Sequence, residues 1–222
     1  MPVALHLALA ALAAAAPAEG QVVDEVVAVV RAAGGEPRVV TLSRLTEEAR
    51  IVMISRGATE AALRPLDGPA LAATLDWLVD QLLLSDEAAR LKVFEVDRGQ
   101  AQAELQRFKK QFSRPEGYAA FLAANDLSED DVLAVLRRML RVQRYLDNRV
   151  AGAARARVSD AELEAALRER SGELGGLPPA QAREAVRARL AGERIRADVK
   201  ALLADLRRRS EVRVLMAFGP GK

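Results

Sequence analysis

Carboxylates stand side by side at Asp24-Glu25 and in Ser128-Glu129-Asp130-Asp131. Such pairs can divide acid and base roles when their surroundings push their pKa values apart. The second set follows a serine and opens an amphipathic run, where acids complement the positive end of a helix. Capping rather than catalysis is therefore expected there. A seryl nucleophile needs a base, and the only histidine is His6, inside the apolar front of the chain. There is no cysteine, which excludes disulfides, thiol catalysis, cysteine metal sites and a lipid-anchored cysteine. "AAGGEP" and "ELGGLPP" lack the spacing of a phosphate-binding loop, and no EF-hand-type calcium loop is present. "LRRMLRVQRYLDNR" gathers Arg137, Arg138, Arg141 and Arg144 beside Tyr145. Such a cluster suits nucleic acid, but it suits a solvated face over an apolar stripe better. The expectation is a chain without catalytic residues, metal, cofactor or nucleic-acid partner.

Composition agrees with a packed domain. Half of the 222 residues are hydrophobic, so a sizeable core can form. Aromatics make up 4%, so that core must rest on Leu, Val and Ala. The 33 basic and 31 acidic residues nearly cancel, which argues against a protein built around a polyanion. Their distribution is uneven. Glu19 to Asp126 carries 13 basic and 17 acidic residues, and Leu127 to Lys222 carries 20 and 14. Helix surfaces laced with i,i+4 pairs account for most such charge.

The elements that must position any site begin after a leader. Val3 to Ala16 is apolar, and Ala16-Pro17-Ala18 has the small-x-small pattern of signal peptidase cleavage after about Ala18. The run is shorter than the roughly 18–20 residues that cross a bilayer. No Lys or Arg precedes it. The expectation is a removable leader over 1–18, a periplasmic protein and no integral membrane segment in the mature chain.

"VVAVV" (Val26 to Val30) is a β-branched run, Gly34-Gly35 and Pro37 supply a turn, and "RVVTL" returns as a second strand. Thr41 or Ser43 caps a helix that Gly57 ends, and "ATEAALRPLDG" reads as a loop. A long helix spans about Pro69 to Lys92, with Leu71, Leu75, Leu78 and Leu82 at helical spacing and Trp77 beside them. "VFEV" is an extended link. Asp97 caps a helix to about Phe112, and Pro115 opens a short one. Ser128 caps a helix to about Val150, with Val132, Leu136, Met139, Gln143 and Leu146 on one side. Ser159-Asp160-Ala161-Glu162 has capping-box spacing, and "SGELGGLPPA" separates that helix from the last, about Ala180 to Arg209, which carries Val186, Leu190, Ile195, Val199, Leu202 and Leu206 as its apolar residues. "EVRVL" then has strand character.

A lone strand leaves its backbone groups unpaired. The simplest arrangement joins the C-terminal strand to the N-terminal hairpin. The expected fold is mostly α, with a small β-sheet formed by an N-terminal hairpin and a C-terminal strand. Residues 19–222 form one helical domain, completed by the C-terminal helix and strand over 180–215.

This order of elements resembles the SurA-type periplasmic chaperones and their parvulin-containing relatives. The resemblance rests on "VVDEVVAVV" after a leader, "RVVTLSRL", "LDWLVDQLLLSDEAARLKV", "LRRMLRVQRYLDNRV", "RVSDAELEAAL" and "LLADLRRRSEVRVL". It covers essentially all of the mature chain, through packing patterns rather than chemical signatures. In that family an N-terminal helical region and a C-terminal helix and strand make one chaperone body. Relatives carry one or two parvulin isomerase domains where this chain has only "SGELGGLPPA", and parvulin catalysis relies on histidines and often a cysteine that the mature chain lacks. The resemblance implies an ATP-independent holdase for unfolded exported polypeptides, outer-membrane proteins above all. A scaffold for one envelope partner is the alternative, and a peptidyl-prolyl isomerase subunit is the remotest reading. Methionine and aromatic side chains repack around varied partners. Met53, Ile54, Trp77, Phe112, Tyr118, Phe121 and Met139 are accordingly the candidate peptide-binding residues.

Overall fold

The computed structural model of the chain describes residues 24–91, 94–151, 158–170, 172 and 176–219. The leader anticipated over 1–18, and part of the "VFEV" link, lie outside the described residues.

β1 (Val26–Arg31) and β2 (Arg38–Thr41) form an antiparallel hairpin. Its turn is closed by Gly35 N–H donating to the Ala32 carbonyl at 2.9 Å, with Gly34 at φ +74°, where glycine carries no Cβ penalty. Thr41 ends β2 and caps α1 (Leu42–Ser55), its side chain accepting from Arg44 N–H. Asp24 accepts from Ser43 N–H at 3.1 Å, so the entry to β1 is tied to the start of α1. β3 (Glu211–Val214) pairs antiparallel with the other side of β1, setting Val30 opposite Val212 and Ala28 opposite Val214. Leu215 N–H extends the pairing to the Val27 carbonyl at 2.8 Å. The sheet order is β2-β1-β3, so the strand nearest the start is completed from the far end of the chain.

Between these strands lie α2 (Thr59–Ala62), α3 (Gly68–Arg90), α4 (Arg98–Lys109), α5 (Pro115–Ala124), α6 (Glu129–Leu146), α7 (Asp160–Glu169) and α8 (Pro179–Arg209). A π-helical stretch, Asp147–Ala151, continues α6. Asp97, Ser128 and Ser159 cap their helices as expected, and each does so in a reciprocal capping box, the arrangement that the sequence spacing predicts at Ser159. Two local expectations are corrected. The segment read as a loop after Gly57 contains the helical turn α2, and the Ala62 and Arg64 carbonyls at its end accept from Arg50. On α6 the buried side is Val132, Val135, Leu136, Val142 and Tyr145, while Gln143 is exposed. The stripe drifts because 3.6 residues per turn does not hold a fixed spacing of seven.

Three apolar clusters result among the described residues. The first joins the sheet (Val27, Ala28, Val30, Val40) to α3 (Leu75 to Leu84), with Val142, Tyr145 and Leu206. The second packs Ile51 and Ile54 of α1 against Leu105, Phe108, Phe112, Tyr118, Phe121 and the start of α6. A small third cluster, Leu163, Ala166 and Val186, lies between α7 and α8. Ion pairs supplement it: Arg187–Asp160 at 3.6 Å, Arg170–Glu193 at 3.9 Å, Arg183–Glu164 and Arg194–Glu162.

Candidate functional site

Six of the seven residues anticipated for peptide binding converge on the second cluster. Ile54 and Phe121 are fully buried in it, Phe112 and Tyr118 nearly so, and Met53 and Met139 lie half-buried at its margin. Trp77 is apart, at the margin of the first cluster, with the Arg56 guanidinium 6.0 Å from its ring centroid. The aromatic members contact one another. Phe112 lies 5.7 Å from Phe108, 5.7 Å from Tyr118 and 5.6 Å from Phe121, centroid to centroid. Phe108, at the centre of this group, is absent from the candidates that the sequence suggests. Tyr118 sits beneath Lys109 Nζ, 5.0 Å from the ring centroid, and that ammonium also pairs with Glu129 at 2.5 Å. Burial, with the Glu129 carboxylate beside it, pushes the Tyr118 hydroxyl up to about 12. This phenol stays protonated across the physiological range and is not poised for acid–base work.

Phe112 is the member that reaches an opening. A groove of about 990 Å³ runs between the α1–α2 turn with α2 and the α4–α5 turn with α5. Phe112, Leu63 and Ala120 contribute apolar surface, and Glu60, Arg64, Arg114 and Glu116 add charge. Leu63 is 53% exposed there.

A second groove, of about 470 Å³, is not anticipated by the sequence. Ile195, Val199 and Leu203 stand at successive four-residue steps on α8 and, with Ala204, give it an apolar floor. Asp80 of α3 and Arg196, Lys200 and Arg207 of α8 surround them. Arg207 is fixed, its Nε donating to Asp80 at 2.7 Å and its Nη2 to the Asp76 carbonyl at 3.1 Å. Arg196 and Lys200 form no ion pair among the described residues. Ile195 and Val199 belong to the apolar stripe that the sequence assigns to the last helix, yet both are only half-buried. The available signal is that Lys200 has no acid three or four residues away.

What these grooves offer is shape and apolar surface. Among the described residues no group of three or more His, Asp or Glu side chains is placed to hold a metal ion. Among them, too, no helix is long and apolar enough to cross a membrane. No protein-family model matches the chain, and no curated protein matches it.

Proposed function

We propose that the chain is a non-enzymatic, ATP-independent holdase for unfolded exported polypeptides, outer-membrane proteins among them. It would be a SurA-type chaperone body in which a short connection, 170–178, stands where relatives insert a parvulin domain. The observation that carries this reading is the open apolar floor of Ile195, Val199 and Leu203 between α3 and α8. The groove containing Phe112 and Leu63 supplies a further apolar surface. The joining of β1 and β3 in one sheet also supports the kinship, because that closure is what the resemblance leads one to expect.

The mechanism is physical. A client segment that covers on the order of 200 Å² of apolar surface gains roughly 5 kcal/mol before the costs of ordering it. One groove alone therefore holds a segment no tighter than about 0.2 mM. A client that fills both grooves at once gains avidity, which lowers the concentration of aggregating chains while each contact still releases without ATP. The mature protein would begin after about Ala18 and act in the periplasm. Sequencing the N-terminus of native protein tests this, and a start at Met1 refutes it. Light scattering from an outer-membrane barrel diluted out of urea tests the holdase. Aggregation should be suppressed by the wild type and much less by Val199→Asp, whose melting temperature should barely change because Val199 is half-open. No suppression at several-fold molar excess of wild type ends the reading.

A further inference from the structure

β3 is an edge strand, and among the described residues no strand pairs with its outer side. Its residues are exposed or half-buried, with Val214 at 55% and Leu215 at 61%. Backbone groups alternate in direction along a strand, and Leu215 N–H points at β1. Arg213 and Glu211 therefore turn their backbone groups to β1 as well, and the N–H and C=O groups of Val212 and Val214 point outward. Unpaired groups in a row are a template for another strand.

The charges on this strand are self-complementary. Glu211 and Arg213 flank Val212 on the solvent side of the sheet, opposite Arg31 and Val29 of β1. Glu211 already attracts Arg31 at 3.5 Å and Arg213 at 2.5 Å. When two such strands run antiparallel about a two-fold axis, each register has a definite electrostatic cost. Centring on Glu211 opposes two carboxylates, and centring on Arg213 opposes two guanidiniums. A slip of one residue sets the core face of one copy against the solvent face of the other. Centring on Val212 alone places Glu211 of each copy opposite Arg213 of the other. It also lets the two Val212 residues exchange N–H···O=C bonds, and it directs Val214 N–H to the Ser210 carbonyl of the second copy.

We propose that β3 is the homodimer interface, pairing antiparallel with β3 of a second copy about Val212 to join the two small sheets into one six-stranded layer. An isologous contact of this kind closes on itself, which leaves no further edge on that side for an unfolded chain to extend.

Sedimentation equilibrium of the full chain tests this directly, with exchange of the Val212 amide read by NMR. The wild type should dimerise, with Val212 N–H gaining protection as concentration rises. Arg213→Glu and Glu211→Arg should each weaken dimerisation roughly tenfold or more, because each replaces two attractive pairs by two repulsive ones. Mixing the two variants should restore a dimer, since a strand carrying two arginines then meets a strand carrying two glutamates. A wild type that stays monomeric overturns the proposal, as does a dimer that persists unchanged in Arg213→Glu. Should Glu211→Arg fail to fold through its contact with Arg31, the concentration dependence of wild-type Val212 exchange decides alone. Protection that appears only when unfolded polypeptide is added assigns the edge to a client strand and also overturns the proposal. None of these readings depends on aggregation suppression, so the dimer and the holdase can fail separately.

Discussion

Glu48 of α1 is only 3% exposed and meets two guanidiniums. Arg44 Nε donates to it at 3.2 Å from one turn earlier, and Arg138 of α6 grips both carboxylate oxygens. The side chain of Arg138 is itself 12% exposed, so the pair is largely desolvated and bolts α1 to α6. Removing Arg138 leaves the buried carboxylate with Arg44 as its one guanidinium, whereas replacing both Glu48 and Arg138 removes the penalty. Arg138→Ala should therefore cost about 3 kcal/mol in chemical denaturation, the low end for a broken buried pair because Arg44 stays in place. The double change Glu48→Leu with Arg138→Met should recover most of that loss. Sequence pattern sets Arg138 on a solvated face with Arg137 and Arg144, and the structure corrects this. Nothing local marks a partner 90 residues away, and helical periodicity places a side chain on a face without saying what packs there. Arg137 and Arg144 are committed as well, donating to the Val96 carbonyl at 3.4 Å and the Glu95 carbonyl at 2.8 Å, where they hold the link before α4. Chemistry-bearing residue types are easy to find in the sequence; their contacts are not.

At the scale of elements, the signals that sit within a few residues are legible. The caps at Thr41, Asp97, Ser128 and Ser159 each depend on a contact spanning three residues, and each is present. The helical turn α2 escapes such a reading because carbonyls at its end are satisfied by Arg50, a residue of another helix. The groove floor on α8 reads as core because periodicity does not report how far a neighbouring helix extends. Electrostatics adds two predictions at this scale. Glu47 on α1 is held above the usual carboxylate range, first by burial and then by Asp131, Asp24, Glu48 and Asp126 around it. A raised carboxyl pKa means the folded state takes up a proton before the unfolded state does. Its contribution to stability is present at low pH and lost as pH rises through the folded value. Glu47→Gln should accordingly raise the melting temperature at pH 7, and the gain should vanish in acid, as a melting series against pH would show. Glu162 of α7 behaves oppositely. Hydrogen bonds from Ser159 and then Arg194 hold it down to about 2. Its stabilisation is present above the ordinary glutamate value near 4.5 and lost as pH falls toward 2. Hydrogen exchange should show α7 opening over that acid window ahead of α3. It should also speed up in high salt, because the α7–α8 ion pairs are exposed and screened.

For the whole molecule, the decisive contact joins Ala28 to Val214 across nearly the full described chain. β1 and β2 by themselves make a two-stranded hairpin, which is marginal in water without further strands or a helix to pack on. The other side of β1 is closed by β3, and the chain beyond β3 continues the closure. Met216 and Phe218 pack on the first cluster, and the Gly219 carbonyl occupies the space that a Cβ on Gly68 would need. A Gly68→Ala change must therefore dislodge this tail from the start of α3. This much of the fold is legible, since a β-branched run near one end of a helical chain and an alternating strand pattern (Glu211 to Leu215) near the other leave few ways to pair either. Removing Glu211 to Lys222 tests how much depends on it. The loss includes the β1–β3 ladder, at about 1 kcal/mol net for each hydrogen bond. It also includes partial burial of Val212, Met216 and Phe218, roughly 1 kcal/mol apiece given that full burial contributes about 1.5–3. These losses together approach the roughly 5–15 kcal/mol that holds an ordinary domain folded. The truncated chain should therefore lose its cooperative melting transition while keeping much of its helical circular dichroism, since α3 to α6 retain their mutual contacts. A sharp transition at the wild-type temperature would show that the helices stand without the sheet, and that the meeting of β1 with β3 is an ornament of this fold rather than its lock.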